Sequence, residues 1–240
     1  YIALRFSGNA TTTASGLSEG IMWDFRDDQL AGWLLEKAGI SPDLLPEIVP
    51  TFGVQATLSE AGARETGLPE GIPILYRAGD QPNNALSLDV MQPGDVAATG
   101  GTSGVVYAVT DATRTREMNR VNNFAHVNHT RKAPRIGKLL CINGTGIQYS
   151  WMQQQVSPNA SYPEMNQLAS EIPVGCQGLR IYPFGNGAER MLGNARVGAR
   201  IQGLNFNTHT RSHLYRAALE GIAFSFVYGM EIMAADGVGL

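Results

Sequence analysis

Two cysteines in 240 residues, Cys141 and Cys176, are too few for a disulfide framework and lack metal-ligand spacing. This excludes a stapled secreted scaffold and a zinc ribbon, and predicts a reducing cytoplasm with both thiols in the core. Positive charge is scarce too. Eighteen Lys and Arg against 21 Asp and Glu give a net charge of −3, so no basic field draws nucleic acid or an anionic membrane. No apolar run reaches membrane-spanning length, and no leader pattern opens the chain. There is no repeat of solenoid length and no low-complexity tract. Residue 1 is Tyr rather than Met, so the native start is expected upstream. Metal-binding histidine patterns are lacking as well. His126 and His129 stand in a loop and His209 and His213 at a helix start, neither pair with the glutamate of a His-Glu-x-x-His site. Structural roles are expected for all four.

What is present is a globular composition, 43% hydrophobic and 16% charged, enough apolar material for one or two cored domains. Turn-rich residues 1–26 predict loops and short strands. Asp27 or Asp28 is expected to cap a helix through Trp33-Leu34-Leu35 that Gly39 stops. Ser59-Glu60 starts a helix ending before Gly67, and Ile72–Ala78 reads as a strand. Val96–Thr99 and Val105–Val109 read as a hairpin pair, residues 111–123 as a solvated loop, and Leu139–Ile142 as a strand leading to a helix with Gln148 and Trp151. A further helix covers Tyr162–Glu171 and a strand Leu179–Tyr182. The last helix is the longest, capped by Ser212 and ending near Asp236-Gly237, with Ala217, Ala218, Gly221 and Ala223 small enough to pack closely on a sheet. Short strands alternating with helices argue for α/β layers, with a boundary at Pro93-Gly94-Asp95.

The chemistry concentrates between Arg77 and Gly104. One apolar run delivers a lone carboxylate, Asp80, at a strand end; a second delivers the turn Gly100-Gly101-Thr102-Ser103-Gly104. Glycine tolerates positive φ and frees N–H groups to face an anion. A carboxylate near an anion nest suits phosphoryl transfer to a hydroxyl. On the residues alone, Asp80 also reads as a turn aspartate capping the next helix, and the glycines as an ordinary hairpin. Ser103 is followed directly by Gly104 and by no helix, so it does not make a nucleophile elbow, and no Gly-Lys-Ser/Thr ending makes a Walker A loop. Trp33 and Trp151 are expected in the core rather than as sugar platforms.

Three features together resemble a known family. They are Gly79-Asp80-Gln81 followed by Pro93-Gly94-Asp95 and Gly101-Thr102-Ser103-Gly104; Asn143-Gly144-Thr145-Gly146-Ile147-Gln148; and the run from Ala199 to Glu220, with Ile201, Gly203-Leu204, His213-Leu214 and Ala217-Ala218-Leu219-Glu220. The chain resembles the FGGY carbohydrate kinases, and Leu68-Pro-Glu-Gly71 and Val105-Val106-Tyr107 look most like the xylulokinase branch.

The resemblance implies an α/β, ribonuclease-H-like or actin-like ATPase fold of two domains with a cleft, incomplete at both ends. Residues 1–91 would be the C-terminal part of the first domain and 92–240 most of the second. It implies ATP-dependent phosphorylation of a sugar hydroxyl, first of all D-xylulose, with ATP and Mg²⁺ as cofactors. Asp80 would be the catalytic base; Gln81 and Asn84 would join it in binding sugar. Gly101, Thr102 and Ser103 would face the phosphates, and Gly144 and Gln148 the nucleotide. No metal ligands are assigned. The expected partner is a pentulose, with neither nucleic acid nor membrane, in the cytoplasm; a homodimer is one arrangement the resemblance allows. A kinase for ribulose, glycerol or rhamnulose, and a nucleotide- or sugar-binding relative without transferase activity, are the alternatives. A hydrolase using Ser103 would need a histidine and an acid beside it.

Overall fold

The computed structural model describes residues 1–239. The chain divides into two compact units, one of residues 1–95, 109–114 and 123–138, the other of 96–108, 115–122 and 139 onward.

The first unit opens on α1 (Ile2–Ser7), which Gly8 ends in the left-handed region at φ 76°. After β1 (Thr11–Thr12) comes α2 (Ala14–Glu19), capped by Thr13, whose hydroxyl accepts from the Gly16 N–H at 3.1 Å. The expectation of loops and short strands here is corrected: Gly8 is a helix stop and Gly16 lies inside a helix. β2 (Trp23–Asp24) and β3 (Gln29–Leu30) pair antiparallel, with Asp27 and Asp28 in the connection. Neither aspartate therefore caps α3 (Gly32–Ala38); Ala31 holds that place without a side-chain bond, while Gly39 closes the helix at φ 68° as expected.

β4 (Glu47–Ile48) runs parallel to β1. β5 (Phe52–Thr57) leads to α4 (Glu60–Thr66), capped by Ser59. The Ser59 hydroxyl also donates to the Phe6 carbonyl at 2.9 Å, and a Cβ on Gly62 would fall 2.5 Å from that same oxygen. Only glycine lets α4 approach α1 so closely. β6 (Pro73–Tyr76) pairs antiparallel with β5 and hands the chain to α5 (Asp80–Ser87), where Leu88 is the C-cap and Val90 lies beyond it.

In the second unit β7 (Val96–Gly100) and β8 (Gly104–Thr110) form the expected hairpin, in register from Val96↔Ala108 to Gly100↔Gly104. β9 (Asn122–Ala125), not anticipated from sequence, and β10 (Ile136–Ile142) complete the strand order β7-β8-β10-β9, although residues 123–138 of these strands count with the first unit. β8 and β10 are buried along almost their whole length, as central strands require. α6 (Gly146–Trp151) runs on into a π-helical turn, Met152–Val156. α7 (Tyr162–Ser170) starts on a Ser161/Glu164 capping box with Pro163 in its first turn. β11 (Arg180–Tyr182) pairs antiparallel with β12 (Arg200–Gln202).

α8 (Arg211–Ala235) is the longest element, and its cap is Thr210, bonded to His213, rather than Ser212. By length and apolarity α8 could cross a bilayer, against the expectation that no segment is long enough. Its faces are used otherwise. Tyr215, Ala217 and Ala218 pack with Met165, Leu179 and Ile181, and Ile232 and Met233 pack with Val106, Leu140 and Ile142. Gly221 meets β11 so closely that a Cβ would lie 2.0 Å from the Ile181 carbonyl oxygen. Ala223 is exposed and takes no part.

The loop around 115–117 is not simply solvated. Asp236, 2% exposed at the C-cap of α8, accepts from the Thr115 hydroxyl at 2.9 Å, from the Glu117 N–H at 2.9 Å, and from the Arg116 N–H. Cys176 is buried, as expected, whereas Cys141 is half-buried. Glu220 pairs with Arg216 at 2.7 Å.

Candidate functional site

The first unit carries Asp80 and its neighbours on α5. Asp80 stands at the first position of α5, after Gly79, which is the N-cap and makes no side-chain bond. Asp80 is exposed, Gln81 half-buried and Asn84 exposed, all on the first two turns. The cap is supplied from elsewhere. The Glu19 carboxylate, at the end of α2, accepts the N–H groups of Asp80 and Gln81, each at 3.2 Å. Gly79 makes room for it, since a Cβ there would fall 1.9 Å from Glu19 Oε2. Burial raises the Glu19 pKa, the Gln81 N–H opposes this, and the Asp80 charge adds to the rise. The reading of Asp80 as a helix cap thus loses its ground: Glu19 does that work and leaves the Asp80 side chain clear of it. Glu19 was missed because it lies 61 residues before Asp80, and nothing local marks it.

The second unit carries the glycine turn. Its glycines are not there for positive φ: Gly100, Gly101 and Gly104 all lie outside that region. Gly104 is needed for close approach, since a Cβ would meet Phe226 and Thr145 at 2.7 Å. The Gly101 N–H is spent inside the turn on the Ser103 carbonyl at 3.0 Å. The N–H groups of Thr102 and Ser103 carry no hydrogen bond among the described residues.

The N-terminus of α6 is not an open anion site either. The Gly146 N–H donates to Gly101 O and the Ile147 N–H to Thr102 O, both at 3.0 Å. The Thr145 hydroxyl adds longer bonds to the same two carbonyls, at 3.3 and 3.4 Å. Two donors at the start of α6 are thereby consumed, and the turn and the helix are stitched into one piece. Gly144 sits where a Cβ would fall 1.5 Å from the Pro183 carbonyl oxygen.

Two hollows flank this piece. One, about 420 Å³, is lined by Gly101, Thr102, Gly146, Ile147, Tyr149 and Tyr162 among others. The other, about 250 Å³, is lined mainly by Ile147, Gln148, Trp151, Pro183, Asn186 and Ala199. Gln148 is 9% exposed, yet neither its Oε1 nor its Nε2 has a hydrogen-bond partner among the described residues. A buried amide left unpaired costs about 1–3 kcal/mol unless a ligand completes it. Trp151, expected in the core, is 53% exposed at the same hollow. Gly101, Thr102, Gly144 and Gln148 are therefore brought together around α6. The Ser103 carbonyl belongs to the same turn.

Of the histidines, His126 is buried and its pKa lowered to about 4, chiefly by desolvation. His213 caps α8. No three His, Cys, Asp or Glu converge on a cation position among the described residues.

Residues 1–87 match the N-terminal domain of the FGGY family of carbohydrate kinases, and residues 96–239 match its C-terminal domain. A xylulose kinase of Bacillus subtilis is 24% identical over 239 residues, which is 99% of this chain and 46% of that protein. A gluconokinase of the same organism is 27% identical over 226 residues, 90% of this chain and 42% of that protein. The crystal structure of xylulose kinase from Rhodospirillum rubrum superposes with a TM-score of 0.84 at 26% identity, covering 99% of this chain and 47% of that one. The chain spans about half the length of the curated relatives it matches.

Proposed function

The chain belongs to the FGGY family of carbohydrate kinases and has its α/β, actin-like ATPase fold, and on that premise we propose that it supplies part of the machinery by which a sugar hydroxyl is phosphorylated from ATP. The observation that carries the reading is the stitched piece of the second unit. The free N–H groups of Thr102 and Ser103 and the unpaired, buried Gln148 amide stand on one rigid support of turn and helix. Main-chain donors suit phosphate oxygens, and a buried amide suits a heterocycle edge or a ribose hydroxyl. Thr102, Ser103 and Gly101 would bind the phosphates, Gln148 and Gly144 the nucleoside.

Asp80 would take the proton of the attacking hydroxyl. A free, exposed carboxylate at the head of a capped helix is available for that task, and in-line transfer draws mainly on positioning. Gln81 and Asn84 would orient the sugar. The described residues offer no cage of their own for Mg²⁺, so the ion enters only as the companion of the ATP phosphates and no step is assigned to it. D-Xylulose is the substrate proposed first, given the xylulose kinase likeness, and the gluconokinase likeness makes an aldonic acid the second candidate. The cytoplasm, which supplies ATP, is the expected location.

The test is a coupled assay of ADP release by the complete protein across D-xylulose, gluconate and glycerol. Asp80→Asn should abolish sugar-dependent ADP release, a fall of at least about 10³-fold, while ADP still binds. Turnover by this variant at the wild-type rate would take Asp80 out of the role. ADP binding with no sugar-dependent turnover by the wild type would favour a non-catalytic binding relative.

A further inference from the structure

We propose that Glu189 is a positioning residue for the nucleotide half of this site: its buried carboxylate fixes the main chain at Asn143 and so sets Gly144 and Gln148. The inference rests on the nucleotide reading given above and goes beyond it.

Glu189 is 1% exposed and lies in the loop between β11 and β12, bridged to Ala195 by its own N–H at 3.0 Å. Its Oε2 accepts the Asn143 N–H at 2.9 Å. The same residue is held twice more from this loop. Asn143 Nδ2 donates to the Ala188 carbonyl at 2.7 Å, and Asn186 Nδ2 donates to the Asn143 carbonyl at 3.0 Å. Asn143 opens the strand-to-helix connection whose next residue, Gly144, already touches the Pro183 carbonyl. The loop thus grips the connection one residue before the glycine and five before Gln148.

The charge is what needs explaining. A glutamine would fill the same space and accept the same bond without the desolvation cost of a buried carboxylate. No cation forms an ion pair with it among the described residues: the Arg190 guanidinium, next in the chain, donates its Nε to the Asn119 carbonyl at 3.0 Å. The other ionisable group close by is the Cys141 thiol on β10. Burial raises the Glu189 pKa, and the N–H groups of Asn143, Met191 and Arg190 oppose it. The charged form makes the stronger bond to a main-chain N–H, so the carboxylate holds the Asn143 backbone more firmly than an amide would. Protonation loosens that grip without unfolding the loop.

The experiment measures ADP affinity of the complete protein by calorimetry from pH 5 to 8, for the wild type and for Glu189→Gln. At pH 8 the variant should bind ADP about tenfold more weakly with the sugar KM unchanged. Wild-type affinity should fall toward acid, to the level of the variant, while the variant's own pH dependence is flat. The Asn143 amide resonance should move with the same midpoint as the wild-type affinity, which keeps the test valid should Glu189→Gln fold poorly. Equal ADP affinity of the two proteins at every pH, or an Asn143 resonance that does not follow the affinity, would overturn the proposal. A wild type that does not bind ADP at all would instead overturn the nucleotide reading beneath it.

Discussion

Glu19 and His126 show how much a single side chain decides here. Glu19 holds the first turn of α5 by two N–H groups, so Glu19→Gln keeps one acceptor and turns an N–H₂ toward the other donor. The expected loss is about 1 kcal/mol of stability, the usual worth of a cap, with faster hydrogen exchange at Asp80 and Gln81. Urea unfolding and amide exchange measure both. His126 acts through pH. Its folded pKa is lowered to about 4 from 6.5, so the unfolded chain takes up a proton between those values while the folded one does not. Stability should be fully present above about pH 6.5 and decline as pH falls toward 4. Replacing His126 with Asn should flatten that part of the profile in thermal melts across pH.

Among the elements, α8 carries the sharpest constraint. Its spacing of small residues was plain in the sequence, and the packing against β11 follows from it at Gly221. Gly221→Val should cost about 2–4 kcal/mol in chemical denaturation, because the added carbons meet a carbonyl oxygen that a strand holds in place. Ala223→Leu on the exposed face should cost under about 0.5 kcal/mol. The β7–β8 hairpin, α4, α7 and the end of α8 were legible because caps, turns and periodicity are local signals. α1, α2 and β9 were not, because glycine and threonine there serve as stops and caps of very short helices, and β9 owes its existence to the strand beside it. The Asp236 anchor of residues 115–117 spans 119 to 121 positions, a distance that no window on the sequence covers.

At the scale of the molecule, the family likeness could be read from motifs, yet the uses of several motif residues could not. Gly104 and Gly144 serve close approach, and the Gly146 and Ile147 N–H groups are bonded to the Gly101 and Thr102 carbonyls, none of which the motifs displayed. What the sequence could not display was an amide left waiting, Gln148, since only three-dimensional neighbours reveal a missing partner. In the complete protein, ADP should slow hydrogen exchange at 101–104 and 146–151 while leaving α1 and α4 unchanged. Equal protection in both places would mean a general stiffening rather than occupancy of this site.

The seam that joins Gly146 and Ile147 to the bend at Gly101 and Thr102 acts as a ruler. Neither end can slide without the other, so on the nucleotide reading proposed above the gap between triphosphate tail and base edge would be preset before any guest arrives. Nucleotides of the right reach would then span both marks at once; inorganic tripolyphosphate or bare adenosine would meet only one, and forfeit the advantage of being held at two points on a single gauge.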